Sequence, residues 1–164
     1  MSRKWLRELR YSDIYRWVDD AQAVFRELPF VYQTDKRVIH GIVDLLMQRA
    51  DGTWVIVDYK SSKVDGFFER VDDKAERENM RLLAEHAKRY HLQLGVYAAA
   101  VERYLSMRGL DIAPEDIELH IYYLRYRHAV QVPSPAWIQA LNQLESQIGK
   151  LIDDEDDYDE DDPT

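Results

Sequence analysis

The stretch from Val38 to Lys60, VIHGIVDLLMQRADGTWVIVDYK, decides the fold. It contains two runs rich in β-branched and aliphatic residues, 38–48 and 53–60, separated by the turn residues Ala50-Asp51-Gly52. This pattern predicts a β-hairpin at the centre of a sheet. Because side chains alternate between the two faces of a strand, the loop length determines which residues share a face.

Two loop lengths are compatible with the turn. A two-residue turn, Asp51-Gly52, would pair Asp44 with Tyr59, whereas a three-residue loop would pair Asp44 with Asp58. The three-residue loop is a common type, with Gly in the left-handed conformation forming a bulge. In that register one face of the hairpin is largely apolar. Its pairs are Val43–Tyr59, Leu45–Val57 and Met47–Val55.

The opposite face of the hairpin carries charge. Its pairs are Ile42–Lys60, Asp44–Asp58 and Leu46–Ile56. Two carboxylates directly across from each other repel and destabilise a sheet. A bound cation explains their placement, and hard oxygen ligands favour Mg²⁺ or Mn²⁺. The alternative is a polar strand residue at Asp44 and a surface ion pair between Asp58 and Lys60.

The charged face therefore predicts a divalent-metal site for the hydrolysis of a phosphoester. The metal would be held by Asp44, Asp58 and the backbone carbonyl of Tyr59, with positions left for water and a phosphate oxygen. Lys60 would orient the nucleophile or stabilise the transition state.

The rest of the chain predicts helices around this hairpin and further strands beside it. We expect the order α-β-β-β-α-β-β-α, an α/β (α+β) fold with a mixed central β-sheet flanked by helices. The expected helices are 3–26, 82–107 and 136–152, with 66–81 either helical or mobile, and the further strands are 25–33, 117–126 and 129–132. Pro29 favours an edge or bulged strand for 25–33.

The charge of the chain is unevenly distributed. The net charge is -9, but residues 153–162 contain nine acids in ten positions, and the remainder has 22 acidic against 22 basic residues. We expect a domain over 1–152 and a disordered acidic tail over 153–164. The tail is either a solubilising segment or a mimic of nucleic-acid charge.

The chain has no cysteine, which excludes disulfides, thiolate zinc and an iron–sulfur cluster. The absence is typical of a cytoplasmic protein. No apolar run approaches the roughly 20 residues that span a bilayer, so no membrane is expected. The basic N-terminus lacks the apolar region of a signal peptide.

At these residues the sequence resembles the PD-(D/E)XK nuclease superfamily, specifically the RecB/AddA-like nuclease domain at the C-terminus of bacterial helicase–nuclease chains. The resemblance covers roughly 24–132. Its motifs are Arg26-Glu27-Leu28-Pro29-Phe30, Gly41-Ile42-Val43-Asp44, Val57-Asp58-Tyr59-Lys60-Ser61 and Gln93-Leu94-Gly95-Val96-Tyr97. It implies a restriction-endonuclease-like core in which Asp44 and Asp58 bind metal and Lys60 is catalytic.

The resemblance also implies that Gln93 and Tyr97 line the site. These two residues share a helix face with Arg89, one turn earlier, and the row could contact a phosphate backbone. Packing in the core is the alternative for Tyr97. Glu27 either reaches the metal, directly or through water, or is a surface charge at a strand end.

One departure from the family is the absence of histidine from residues 1–37, where members usually carry a metal-binding histidine in an early helix. Three functions follow as hypotheses. The first is a Mg²⁺- or Mn²⁺-dependent DNA nuclease of repair or recombination. The second is a catalytically weak or inactive module that binds DNA or a helicase, on a separate chain or within a parent helicase–nuclease chain. The third is a metal-dependent phosphatase.

Overall fold

The computed structural model describes residues 13–34, 37–69, 72–143 and 146. Within these ranges five strands form a single sheet, and helices lie on both of its faces. The strands are β1 (Ala23–Gln33), β2 (Val38–Gln48), β3 (Trp54–Lys60), β4 (Glu118–Tyr123) and β5 (His128–Val132). The helices are α1 (Asp13–Asp19), α2 (Asp73–Ala87), α3 (His91–Ser106) and α4, whose described part is 134–143.

The sheet is mixed, as predicted. Its order is β1-β2-β3-β4-β5, and all neighbouring strands are antiparallel except β3 and β4. The parallel pair is connected through α2 and α3, because parallel strands need a long crossover. One result is that the carboxyl ends of β3 and β4 lie together, at Lys60 and Tyr123.

The hairpin between β2 and β3 has the predicted register. Leu45 pairs with Val57 and Met47 with Val55, and the Arg49 N–H donates to the carbonyl of Thr53 (2.9 Å). Gly52 has a φ of 90°, which is the left-handed conformation expected of the three-residue loop. The pairing, however, ends at Leu45–Val57. The predicted ladder pairs Asp44–Asp58, Val43–Tyr59 and Ile42–Lys60 are therefore wrong.

The ladder ends there because β1 and β2 are distorted together. Glu27 has a φ of 51°, a strained left-handed conformation for a residue other than glycine, and the register places it opposite Asp44. Beyond this point both strands exchange faces. Val43 packs in the same core as Leu46, not with Leu45 as predicted, and Ile42 is 54% exposed.

The predicted helix 82–107 is in fact two helices. They are separated by a 3-10 turn, Lys88–Tyr90. A 3-10 helix has about 3.0 residues per turn, against about 3.6 in an α-helix, so this segment rotates the faces of the two helices relative to each other. Helix α2 begins only at Asp73, where the side chain of Asp72 caps it by accepting from the Ala75 N–H (2.8 Å). The segment 66–69 is thus a loop.

The first predicted helix, 3–26, was wrong at its C-terminal end. Helix α1 ends at Asp19, and residues 23–26 are paired with β2, because cross-strand pairing outweighs the weak helical pattern there. Residues 1–12 lie outside the described part, as do the expected end of the last helix near 152 and the tail 153–164.

The sheet separates two cores. The larger core lies between the sheet and helices α2, α3 and α4, with Leu46, Ile56 and Trp137 fully buried. The smaller core lies on the other face, where Ile14 of α1 packs against Leu45 and Val57. No helix in the described ranges is long and apolar enough to cross a membrane.

Candidate active site

The candidate site lies where β2 separates from β3, on the face of the sheet that α2, α3 and α4 cover. Asp58 and Lys60 are on β3 with the same parity as the buried Ile56, so both face α3. Asp44 lies on β2 at the point where the ladder ends. The structure therefore brings Asp44, Asp58 and Lys60 together.

Asp44 replaces a lost backbone partner of β3. Its Oδ2 accepts a hydrogen bond from the Tyr59 N–H (2.9 Å), which the next residue pair of a regular ladder would have satisfied. The N–H and C=O of a strand residue point towards the same neighbour, so the Tyr59 carbonyl also faces the gap left by β2. The separation of the strands is what exposes this carbonyl to a ligand.

Asp58 is a buried carboxylate in an unfavourable position. Only 3% of it is exposed, and its Oδ2 pairs with Nζ of Lys60 at 2.8 Å. Burial raises the pKa of the Asp58 carboxyl, Lys60 opposes the rise, and the charge of Asp44 adds to it. The ammonium of Lys60 therefore does not fully offset the burial of Asp58 and the like charge of Asp44.

Lys60 is held from three sides. Besides Asp58, its Nζ donates to Oε1 of Gln93 (3.1 Å) and lies 4.3 Å from the centre of the Tyr90 ring. The Tyr90 hydroxyl is in turn 3.1 Å from Oγ of Ser62. The ammonium group is thus fixed beside Asp58 by a carboxylate, an amide oxygen and an aromatic face.

Gln93 and Tyr97 continue this chain of contacts along α3. Nε2 of Gln93 donates to the Tyr97 hydroxyl (2.9 Å), and the Tyr97 ring packs edge-on against Phe30 (5.3 Å between ring centres). Burial raises the pKa of Tyr97, and the charge of Asp58 raises it further. Both alternatives for Tyr97 therefore hold: its ring is in the core and its hydroxyl is at the site.

Two other predicted residues are farther from this group. Glu27 is exposed and is not clustered with the two aspartates, although the register places it opposite Asp44. Arg89 belongs to the 3-10 turn and lines a neighbouring opening with Lys63 and His86. It does not form the predicted row with Gln93 and Tyr97.

The donor set fits a hard divalent cation. Asp58 offers a buried carboxylate beside Lys60, Asp44 has a second carboxylate oxygen besides the one that accepts from Tyr59, and the Tyr59 carbonyl points towards β2. Mg²⁺ commonly binds one or two carboxylates and completes its shell with waters. No three His, Asp or Glu side chains within the described ranges are grouped as a metal site.

Sequence comparison assigns this arrangement to a family. The model of the PD-(D/E)XK nuclease superfamily matches residues 1–161. The chain belongs to this superfamily. The mixed sheet with flanking helices is the restriction-endonuclease-like fold expected of a PD-(D/E)XK nuclease domain.

The relatives are components of helicase–nucleases, in agreement with the RecB/AddA-like motifs. The chain is 36% identical over 101 residues to an ATP-dependent helicase/nuclease subunit of Exiguobacterium sibiricum, covering 54% of this chain and 8% of that protein. It is 24% identical over 102 residues to the RecBCD enzyme subunit RecB of Chlamydia pneumoniae, covering 62% and 9%. The matched part of the PD-(D/E)XK domain thus spans less than a tenth of these relatives.

Sequence reasoning missed Tyr90. It placed this residue within the predicted helix 82–107, whereas the structure places its ring over the Lys60 ammonium. Its position just before the Gln93 motif was the available signal. The 3-10 turn that directs Tyr90 to β3 leaves no trace in the periodicity.

Proposed function

We propose that this PD-(D/E)XK domain is a Mg²⁺- or Mn²⁺-dependent deoxyribonuclease acting in DNA repair or recombination. One observation carries the proposal: the buried Asp58 carboxylate, whose pKa is raised by burial, lies beside both the like charge of Asp44 and the Lys60 ammonium (2.8 Å). A buried carboxylate beside a second like charge is costly in a purely structural role. A cation would satisfy it, and the superfamily supplies the reaction class.

The residues that would hold the cation are Asp44, Asp58 and the Tyr59 carbonyl, with Glu27 reaching it through water. When bound, Mg²⁺ or Mn²⁺ polarises the scissile phosphate and lowers the pKa of a bound water. Asp44 fixes the strand separation as well as offering an oxygen, because its other oxygen accepts from Tyr59.

Lys60 supplies the permanent positive charge of the mechanism. With Asp58 and Gln93 holding its Nζ at 2.8 and 3.1 Å, the ammonium is oriented before substrate arrives. It would stabilise negative charge that develops on the phosphate or orient the attacking water. Tyr90 positions Lys60 through its ring, and Gln93 and Tyr97 offer an amide and a hydroxyl to the phosphate backbone.

The partners proposed for the domain are DNA and a helicase, either on a separate chain or within a parent helicase–nuclease chain. The name of the Exiguobacterium sibiricum relative, an ATP-dependent helicase/nuclease subunit, supports this. Arg89 would contact the DNA backbone from the neighbouring opening, outside the row of Gln93 and Tyr97.

The test is a cleavage assay on single- and double-stranded DNA with Mg²⁺ or Mn²⁺. We expect the wild type to cut and both Asp58→Ala and Lys60→Ala to lose about a thousandfold in rate, a loss typical of removing a charge-stabilising group. Met107→Ala, which alters an 82% exposed side chain at the end of α3, is the matched control and should cut like wild type. A wild type that neither cuts DNA nor binds metal contradicts the proposal.

A second function is favoured by one observation: the two aspartates are not joined by a third clustered ligand within the described ranges. In that case the domain is a catalytically weak or inactive module that binds DNA or a helicase partner. The same assay separates the two, because such a module would bind DNA without cutting it and Lys60→Ala would leave the result unchanged.

A further inference from the structure

A loop leaves the candidate site directly after Lys60 and runs back along α2. Gly66 packs beside Leu82, and the Phe68 peptide bonds to Asn79. At the other side of the loop, the Val64 N–H donates to the Tyr126 hydroxyl (2.7 Å) and Phe67 stacks on Tyr126 (3.9 Å between ring centres). The seam between this loop (61–69) and α2 therefore starts at the site and has a fixed course.

Phe68 is held rigidly and yet its side chain is half exposed. Asn79 is only 2% exposed, and it uses both ends of its amide on the Phe68 peptide: Oδ1 accepts from N–H (2.8 Å) and Nδ2 donates to C=O (3.0 Å). The Phe68 side chain remains 50% exposed. The buried amide therefore holds the backbone of this exposed aromatic residue in one position, as a contact surface requires.

Cations lie along the seam. Near the site, Lys63 and Arg89 line an opening of about 400 Å³, and at the far end Lys74 and Arg77 line a groove of about 700 Å³ beside Phe68. None of these four forms an ion pair with another residue in the ranges that the structure describes.

The acids of the far groove are already engaged. Asp72 caps α2, and Glu78 pairs with Arg81 (2.7 Å). The lining thus carries three cations, Lys74, Arg77 and Arg81, against the acids Asp72 and Glu78, and it places Lys74 and Arg77 next to an exposed ring. This combination binds single-stranded nucleic acid, since cations contact phosphates and any unpaired base can stack on an aromatic face.

We infer that the seam is a binding track for single-stranded nucleic acid, with Phe68 as its base-stacking platform. The inference rests on the proposed function for its direction, since it treats Lys60 as the end of the track where phosphate chemistry occurs. Asn79 and Tyr90 are eleven residues apart, which corresponds to about 16 Å of helix. A short single strand can therefore contact both Phe68 and the site.

The test is binding of a fluorescein-labelled oligodeoxythymidylate of about 10 nucleotides, within the usual range of single-strand site sizes. Anisotropy is measured on the full chain in EDTA, so that no cleavage is required. Phe68→Ala should weaken affinity about tenfold, the size expected of one stacked base, and Phe68→Trp should restore it. Affinity for a duplex of the same length should be unchanged, because its bases are already stacked.

The cations are tested through salt dependence. The double variant Lys74→Gln/Arg77→Gln should reduce the slope of log affinity against log salt by about 1.4, since each single-strand phosphate contact contributes about 0.7. Met107→Ala is the control and should alter neither the slope nor the affinity. Thermal melting of every variant shows whether the fold is intact.

The track is contradicted if Phe68→Ala binds as tightly as wild type, if single strand and duplex weaken together, or if the salt slope does not change. Its failure is distinguishable from failure of the proposed function. A wild type that binds the oligonucleotide through Phe68 but never cuts DNA supports the track and contradicts the nuclease. A wild type that cuts while Phe68→Ala binds normally contradicts only the track.

Discussion

The two ends of the parallel pair β3–β4 both bury charged side chains, but in opposite ways. At the amino end, Arg49 contacts Glu118 (2.6 Å), and Glu118 also contacts the buried His120 (3.2 Å). Trp17 of α1 covers this group, with its ring 5.2 Å from both the Arg49 guanidinium and the His120 ring. Here an anion is surrounded by groups that donate to it.

At the carboxyl end the arrangement is reversed. Asp58 has the cation Lys60 on one side but the like charge of Asp44 on the other, and its pKa is raised. Comparing the two clusters therefore separates charges that stabilise the fold from charges that are placed for a ligand. A cluster balanced by the protein stabilises the protein, whereas a cluster left short of positive charge is ready to bind a cation.

The largest effect is expected from disrupting the charge cluster at the amino end of β3 and β4, which we call the balanced end (Arg49, Glu118 and His120). Among the described residues, Glu118→Gln keeps the shape but leaves Arg49 with only the distant Asp51 (3.9 Å) as an anion, so the free energy of unfolding should fall by about 2 kcal/mol. Urea denaturation measures it. Glu78→Gln, which removes the partner of the exposed Arg81, is the matched control and should cause no measurable change. Equal behaviour of the two variants would contradict the role given to Glu118.

At the carboxyl end, the aromatic contact that positions Lys60 can be removed. Tyr90→Leu removes the aromatic face 4.3 Å from Nζ and should lower the cleavage rate about tenfold, whereas Tyr90→Phe keeps the face and should stay within about twofold. Initial rates on a DNA substrate measure the difference. Ser62→Ala isolates the lost hydroxyl contact. If Phe and Leu impair cleavage equally, the ring is not what positions Lys60.

At the unbalanced end (Asp44, Asp58 and Lys60), neutralising the charge of Asp58 should stabilise the metal-free protein. Because burial raises the pKa of Asp58 despite Lys60, the ionised carboxylate is unfavourable in the fold, and Asp58→Asn should raise the free energy of unfolding by about 1 kcal/mol. Urea denaturation in EDTA checks this. A destabilised Asn variant would mean that the pair with Lys60 serves the fold.

The smallest effect is a pH dependence at the balanced end. Burial lowers the pKa of His120, and Glu118 opposes the shift. The unfolded chain then takes up a proton at a higher pH than the fold does, so stability should fall as the pH drops from about 7 to about 5. His120→Gln should flatten this slope, and the exposed His40→Gln should not. An unchanged slope in His120→Gln would assign the dependence to other groups.

The sequence predicted the centre of the molecule better than its surroundings. The β2–β3 register followed from the alternation of side chains and one glycine, both of which are local. The strand separation did not follow, because it depends on the left-handed Glu27 in a neighbouring strand and on a side chain replacing a backbone acceptor. Such a distortion is tertiary, and alternation across Asp44 looks regular in the sequence.

The same limit applies to the helices. A continuous period of 3.6 residues described 82–107, yet the 3-10 turn at Lys88–Tyr90 rotates Arg89 away from Gln93 and places Tyr90 over Lys60. The balanced cluster at Arg49, Glu118 and His120 was also invisible, since its members come from distant segments. Gln93 and Tyr97, which are four residues apart on one helix, did share a face as predicted.

The most direct test of the unbalanced site is Mn²⁺ binding to the metal-free protein, measured by isothermal titration calorimetry without DNA. We expect one binding event in the wild type and in Glu118→Gln, and its loss in Asp58→Asn and Asp44→Asn. Mn²⁺ binding that survives in both Asn variants, or that is absent from the wild type, would contradict the claim that this end of the sheet is built to receive a cation.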